Sequence, residues 1–197
     1  MEIERLKQQL NFIIEIDKAK QVIRNTLLTD ASRLENDAEH TWHMAVAAMV
    51  LTEYSNRPDL DMALVLKLIM IHDIVEIDAG DVFVYANVDP SAKADRERRA
   101  AERIFGLLPK DQAGEFLQLW QAYEDGETPE ARFAQAMDSL MPVLHNYRTK
   151  GQQWQKLNVT SDKVLARNSR IVKGSTELWE YIKGIVEDAV EKGYLKP

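Results

Sequence analysis

Apolar residues recur along this chain at spacings of three and four far more often than they alternate, a pattern that predicts helices. Leu6, Leu10, Ile13, Ile14, Ile16 and Val22 form one stripe and predict a first helix over 2–25. A loop follows to about 36, where Asn36 and Asp37 offer caps for a second helix over 38–56, broken at Arg57-Pro58. Asp61 opens a third helix over 61–77, with Gly80 just beyond its end. Residues 81–91 read as a loop ending at Pro90; a fourth helix fits 92–107, and Pro109 starts a fifth that reaches 124. Thr128-Pro129 pairs an N-cap with a proline at the first helical position and opens a sixth helix to about 149. The last runs over 175–192, stopped by Gly193. No run shows a convincing strand alternation, and no Gly/Ser linker or internal repeat divides the series. The expected fold is therefore all-α, a single-domain helical bundle over residues 1–197.

Composition agrees and narrows the chemistry. With 45% apolar and 29% charged residues the chain is an ordinary globule, and a fold of this length buries roughly 70% of its unfolded surface. Cysteine is absent, which excludes disulfides, thiol nucleophiles, Cys-ligated zinc and iron–sulfur clusters. Any metal must be held by His, Asp or Glu, and there are only four histidines. The net charge of −7 argues against a nucleic-acid polymer as partner. A small phosphorylated molecule stays open, because one metal and one or two arginines supply positive charge locally. The N-terminal MEIERLKQQL has charges where an export signal has its apolar run, so a cytoplasmic protein without a membrane partner is expected. The run KADRERRAAER (93–103), with Asp95–Arg99 and Arg98–Glu102 four apart, reads as a solvated helical face.

The third helix is the informative one. From Met62 to Ile77 its only non-apolar residues are Lys67, His72, Asp73 and Glu76. A helix apolar nearly all round is buried, and ionised groups there are costly unless paired or bound to metal. At about 100° per residue, His72 and Glu76 lie about 40° apart, with Asp73 about 60° further round, so three titratable groups share one arc. On the second helix, His40 and His43 share a face between Glu39 and Trp42; spacing alone does not choose between them as ligands. The sixth helix carries Phe133, Met137, Leu140, Met141 and Leu144 as its apolar stripe. Asp138 stands at its edge, as readily an exposed flank residue as a functional carboxylate. His145, two turns on, reads as a substrate-side or core residue rather than a ligand.

The order His40 … His72-Asp73 … Asp138 resembles the HD-domain superfamily of metal-dependent phosphohydrolases, in which an isolated His, a His-Asp pair and a distant Asp bind one metal. The chain is more specifically similar to the small 5′-deoxynucleotidase-like branch. That likeness is carried by RLENDAEH (33–40), IHDIVEIDAGD (71–81), RFAQAMDSL (132–140) and the C-terminal GSTELWEYIKGIVEDAVEKGYL (174–195), and it spans nearly the whole chain from about residue 10. The branch's aromatic residue in the loop 24–32 has no counterpart between Arg24 and Arg33, so the resemblance carries no choice between ribose and deoxyribose.

The resemblance implies that His40, rather than His43, joins His72, Asp73 and Asp138 as ligands of one divalent ion (Mn, Co, Ni, Fe, Zn or Mg). It implies hydrolysis of nucleoside 5′-monophosphates by metal-activated water, in a homodimer. Two imidazoles and two carboxylates suit a first-row ion with positions left open. Glu76 is then expected to orient the water or take its proton. Asp81 would protonate the leaving oxygen or hold the sugar, and Arg33 and Arg24 would clamp the phosphate. Dinuclear members of the superfamily need further histidines between the His-Asp pair and the last Asp. Residues 74–137 contain none, so one metal and hydrolysis are expected. Two other readings compete: an HD hydrolase acting on a diphosphate or alarmone, and a non-catalytic helical module held together by its metal.

Overall fold

The computed structural model describes residues 2–81 and 89–197. In order the elements are α1 (Glu2–Ile16), a 3-10 turn (Asp17–Gln21), β1 (Ile23–Leu27), β2 (Leu34–Asn36) and α2 (Asp37–Leu51), followed by a second 3-10 turn (Thr52–Tyr54). Then come α3 (Met62–Ile71), α4 (Glu76–Ala79), α5 (Pro90–Phe105), α6 (Lys110–Asp125), α7 (Pro129–Arg148) and α8 (Gln152–Lys156). The series closes with α9 (Ser161–Asn168), α10 (Ile171–Gly174) and α11 (Thr176–Glu191). The fold is all-α apart from one two-stranded sheet.

Helix α7 is the axis. It packs against α2, α3, α6, α10 and α11, and its Phe133, Met137, Leu140 and Met141 are all buried. Its start is the one expected: the Thr128 side chain accepts from Ala131 N–H, and Pro129 takes the first turn. Asp61 caps α3 and Ser175 caps α11 in the same way. Asn36 and Glu39 form a reciprocal capping box at the head of α2, which fixes the turn that presents His40. Gly174 lets α10 lie directly on α7: a Cβ there would meet the Arg132 carbonyl oxygen at 2.5 Å and the Ala136 methyl at 2.7 Å.

Several expectations are corrected. The first helix does not run over 2–25; it ends at Ile16, and the chain turns extended through Val22 into β1. The β-branched Val22, Ile23 and Thr26 suit an extended backbone, and β1 pairs antiparallel with β2, Ile23 opposite Asn36 and Leu27 opposite Leu34. The stripe on α1 faces outward, with only Phe12 buried.

The third helix is likewise not continuous over 61–77. Beyond Ile71 the bonds Ile74 N–H to the Ile71 carbonyl and Glu76 N–H to the Asp73 carbonyl tighten the chain into a 3-10 path before α4. The fourth helix starts at Pro90 behind an Asp89 cap, and the expected loop falls mostly on 82–88, outside the described residues. The charged run on α5 pairs as Lys93–Glu97 and Asp95–Arg98 rather than as expected, and Lys93 and Glu97 border the cleft described below. Residues 150–174, for which no element was expected, form α8, α9 and α10.

Candidate active site

Three segments bring the metal centre together. His40 comes from the first turn of α2, His72 and Asp73 from the tightened turn after α3, and Asp138 from the middle of α7. One ligating atom from each of His40, His72 and Asp73 lies within 4.8 Å of the others, and His40 Nε2 is 3.2 Å from Asp138 Oδ1. Both imidazoles are buried, and their rings stand 5.8 Å apart.

Each imidazole is oriented from behind. His72 Nδ1–H donates to the Ile69 carbonyl at 2.7 Å, which leaves Nε2 as a bare lone pair. That nitrogen is buried, sits 3.0 Å from Asp73 Oδ2 and makes no hydrogen bond. His40 Nδ1 faces the buried carboxylate of Glu35, whose Oε1 is 3.5 Å away. A buried acceptor nitrogen with no donor, beside a second imidazole and two carboxylates, fits a divalent first-row ion. His40, His72, Asp73 and Asp138 would hold it.

Arg24 enters from β1 among the acids. Its guanidinium lies 2.7 Å from Asp73, 3.3 Å from Asp37, 3.5 Å from Glu35 and 3.9 Å from Asp138. Burial opposes its charge, but Asp73, Asp138, Glu76 and Asp37 together hold it well above its ordinary value. Glu76 opens α4 with Oε2 buried and unpartnered; burial first, then Asp73 and Asp37, push its carboxyl well up. Asp81 is half-buried and is raised mainly by burial. Against burial, the His40 hydrogen bond and Arg170 keep Asp138 well below the usual carboxylate range. These groups line a cleft of about 390 Å³.

Arg33 lies elsewhere. It makes a two-pronged ion pair with Glu39 at 2.6 and 2.8 Å, is exposed, and lines a separate cavity with His43, Trp42 and His145. His145 is buried there; Nδ1 meets the Leu27 carbonyl at 2.9 Å, and Nε2 faces His43 at 3.3 Å. Of the residues expected at the centre, the structure thus gathers Arg24, His40, His72, Asp73, Glu76, Asp81 and Asp138 and leaves Arg33 outside.

Three residues escaped the sequence reading. Glu35 and Asp37 flank the capping Asn36, and a short acidic run before His40 was the available signal. Arg170, just before α10, donates to Asp138 Oδ2 and Ser139 Oγ, both at 2.5 Å, and nothing in the local sequence marks it.

The all-helical frame and the His/His-Asp/Asp centre agree with the comparisons: the chain belongs to the HD domain family, whose model matches residues 16–179. It is 31% identical over 136 residues to the 5′-deoxynucleotidase HDDC2 of Homo sapiens, covering 68% of this chain and 65% of that protein's length. With the 5′-deoxynucleotidase hdd1 of Schizosaccharomyces pombe it shares 32% identity over 117 residues, 57% of each chain. Among solved structures, a "predicted metal-dependent phosphohydrolase" from Magnetospirillum magnetotacticum MS-1 superposes with a TM-score of 0.93 at 50% identity, covering 98% of this chain and 97% of that one. A conserved hypothetical protein from Pyrococcus furiosus, 19% identical with a TM-score of 0.63 over 92% and 99%, shares the fold. Among the described residues, no helix is long and apolar enough to cross a membrane.

Proposed function

We propose that this protein is a metal-dependent phosphohydrolase that releases phosphate from nucleoside 5′-monophosphates. The observation that carries it is the convergence of His40, His72 and Asp73 with an unpartnered Nε2 on His72, where His72, Asp73, Asp138 and Arg24 line a cleft. The 5′-deoxynucleotidase relatives and the 50%-identical phosphohydrolase structure support the same reading.

When bound, a divalent ion at this centre supplies Lewis-acid charge beside the phosphoryl group. Arg24, a guanidinium fork fixed by β1 in an acidic setting, binds the phosphate oxygens. Glu76, whose carboxyl is pushed up by burial and is therefore a stronger base when ionised, takes the proton of the attacking water at Oε2. Asp81, raised by burial, protonates the leaving oxygen or holds the sugar hydroxyl. Arg33, tied to Glu39, secures the head of α2 rather than the phosphate.

One domain over residues 1–197 belongs to this reading, supported by two apolar clusters that meet at Leu119. So does a homodimer, supported by Trp42, Val46, Met49 and Val50, exposed along one side of α2.

The test is phosphate release from a panel of 5′- and 3′-monophosphates by protein stripped of metal and then supplied with Mn²⁺, Co²⁺, Ni²⁺, Zn²⁺ or Mg²⁺. Turnover of the 5′ esters alone, dependent on metal, is the expected result. Silence across the panel with one metal bound per chain would favour the structural role for the ion.

A further inference from the structure

The cleft does not end at the metal centre. Asp138, Ser139, Pro142, Val143 and Asn146 lie on one face of α7 and all line it. From Asp138 to Asn146 that face runs eight residues, about 12 Å at ~1.5 Å per residue. At the far end β1, α8 and α9 close around a chamber with a character unlike the acidic centre.

Four buried side chains there carry hydrogen-bonding groups. Thr26, Gln153, Trp154 and Asn168 are 7%, 5%, 3% and 6% exposed and all line the cleft. Thr26, Gln153 and Trp154 bring a hydroxyl, an amide and an indole N–H to the cleft lining, and on the same lining Asn146 Oδ1 is buried without a hydrogen-bond partner. Asn168 Nδ2–H donates to the Val164 carbonyl at 2.8 Å. Buried polar atoms are nearly always paired, so the unpartnered Asn146 Oδ1, with the hydroxyl, amide and indole groups set around it on one cavity, points to a ligand that pairs them. The intervening surfaces, Pro142, Val143, Leu157 and Val159, are apolar.

Neutral amide, hydroxyl and indole groups set between apolar walls suit a flat, uncharged ring with donors and acceptors on its edge. The cations of the lining include Lys93 and Arg170, which pair with Glu97 and Asp138, and Arg167 next to Asn168. A carboxamide is the side chain that pairs in two-pronged fashion with a nucleobase edge. Given the phosphohydrolase reading above, on which this rests, we infer that the α7–α8–α9 chamber is the nucleobase pocket. Gln153 is its edge-reading residue, with Thr26 and Asn168 completing the hydrogen bonds, and base identity therefore affects turnover. A site built to hydrogen-bond a ring edge rejects a ligand lacking it far more strongly than an apolar slot does.

Two measurements separate this inference from the reading beneath it. The first compares kcat/KM for nucleoside 5′-monophosphates of each base with that for base-less ribose 5-phosphate and 2-deoxyribose 5-phosphate. The wild type should favour at least one nucleotide over the base-less ester by more than tenfold. In Gln153→Leu and, as a nearly isosteric second variant, Thr26→Val, that ratio should fall, about tenfold for Gln153→Leu. A ratio near one in the wild type, or losses shared equally by both substrates, would overturn the pocket.

The second titrates phosphate-free adenosine, guanosine, cytidine and thymidine into metal-free protein by NMR. At least one should perturb the Gln153 amide and the Trp154 indole resonances. Nucleoside binding without phosphate release from any ester would sink the nucleotidase reading and keep the pocket. Phosphate release with no nucleoside binding would sink the pocket alone.

Discussion

Glu35 places Oε1 3.5 Å from Nδ1 of His40, with both side chains buried, so the face of the imidazole turned to Asp138 is set by a carboxylate on the far side of the ring. The same Glu35 reaches His145 Nδ1 at 3.8 Å and Arg24 Nε at 3.5 Å. Replacing a carboxylate that orients a ligating histidine typically costs 10–100-fold in metal affinity. Glu35→Gln is therefore expected to weaken binding of Mn²⁺ or Co²⁺ by about that factor in calorimetric titration. Affinity equal to wild type would show that Glu35 does not orient His40.

Glu76 separates catalysis from metal binding. It lies outside the four-residue centre and keeps a buried oxygen without a partner. Glu76→Gln is expected to retain one metal per chain and lose about 10²–10⁴-fold in kcat, the usual worth of a positioned base. Full turnover in this variant would remove Glu76 from the mechanism.

Arg170 closes the centre from the other side, through Asp138 and Ser139. Arg170→Met keeps bulk but leaves a buried carboxylate short of its donor, a loss of about 2 kcal/mol for a charge-assisted bond. A lower melting temperature for the metal-free variant, partly recovered on adding metal, is the expected result; an unshifted transition would contradict it.

The metal-free protein should be less stable in alkali. Burial, with help from Asp73, raises Asp37 from 3.8 to about 7. Burial and Arg24 press His40 down, yet its bonds to Asp138 and Glu35 lift it from 6.5 to about 9. Both groups hold protons more tightly folded than unfolded, so the native state binds more protons between each pair of values. Their stabilisation is complete below the unfolded value and is lost as pH rises through the folded one: about 4 to 7 for Asp37 and about 6.5 to 9 for His40. Asp73 and Asp138, held low, act in the opposite sense and cost stability in acid below about 4. Thermal melts in chelator should therefore fall from pH 6 to pH 9. The gain from added metal should grow over that range, because the metal competes with the proton on His40. A melting temperature that rises toward pH 9 in chelator would contradict the assignment.

Much of this was legible in the chain. Thr128-Pro129 marked the start of α7 because cap and proline act within one turn, and the same local logic placed α6, α11 and the head of α2. His72, Asp73 and Glu76 stood out because charged groups are conspicuous in an apolar helix.

What the pattern hid was decided by tertiary pairing. The stripe Leu6 to Val22 reads as one helix, yet Val22 begins the extended segment that carries Arg24 to the acids, and that strand is held by tertiary partners, β2 beside it and α7 against it. Arg33 looked the better phosphate clamp than Arg24 in sequence; in the fold it pairs with Glu39 of the capping box, while Arg24 stands among the acids. Asp138 at the stripe's edge was ambiguous until Arg170, 32 residues later, closed over it. The short helices of 150–174 have too few turns to show a period, and with them the chamber around Gln153 stayed invisible.

The central claim is metal-dependent phosphate release at the His40, His72, Asp73 and Asp138 centre. The most direct measurement adds Mn²⁺ or Co²⁺ stepwise to stripped protein and follows inorganic phosphate from a nucleoside 5′-monophosphate, with His72→Ala alongside. The account predicts activity that rises to a plateau at one ion per chain and is absent from the variant at the same metal concentration. Phosphate release by stripped protein without added metal, or by His72→Ala at the wild-type rate, would contradict it.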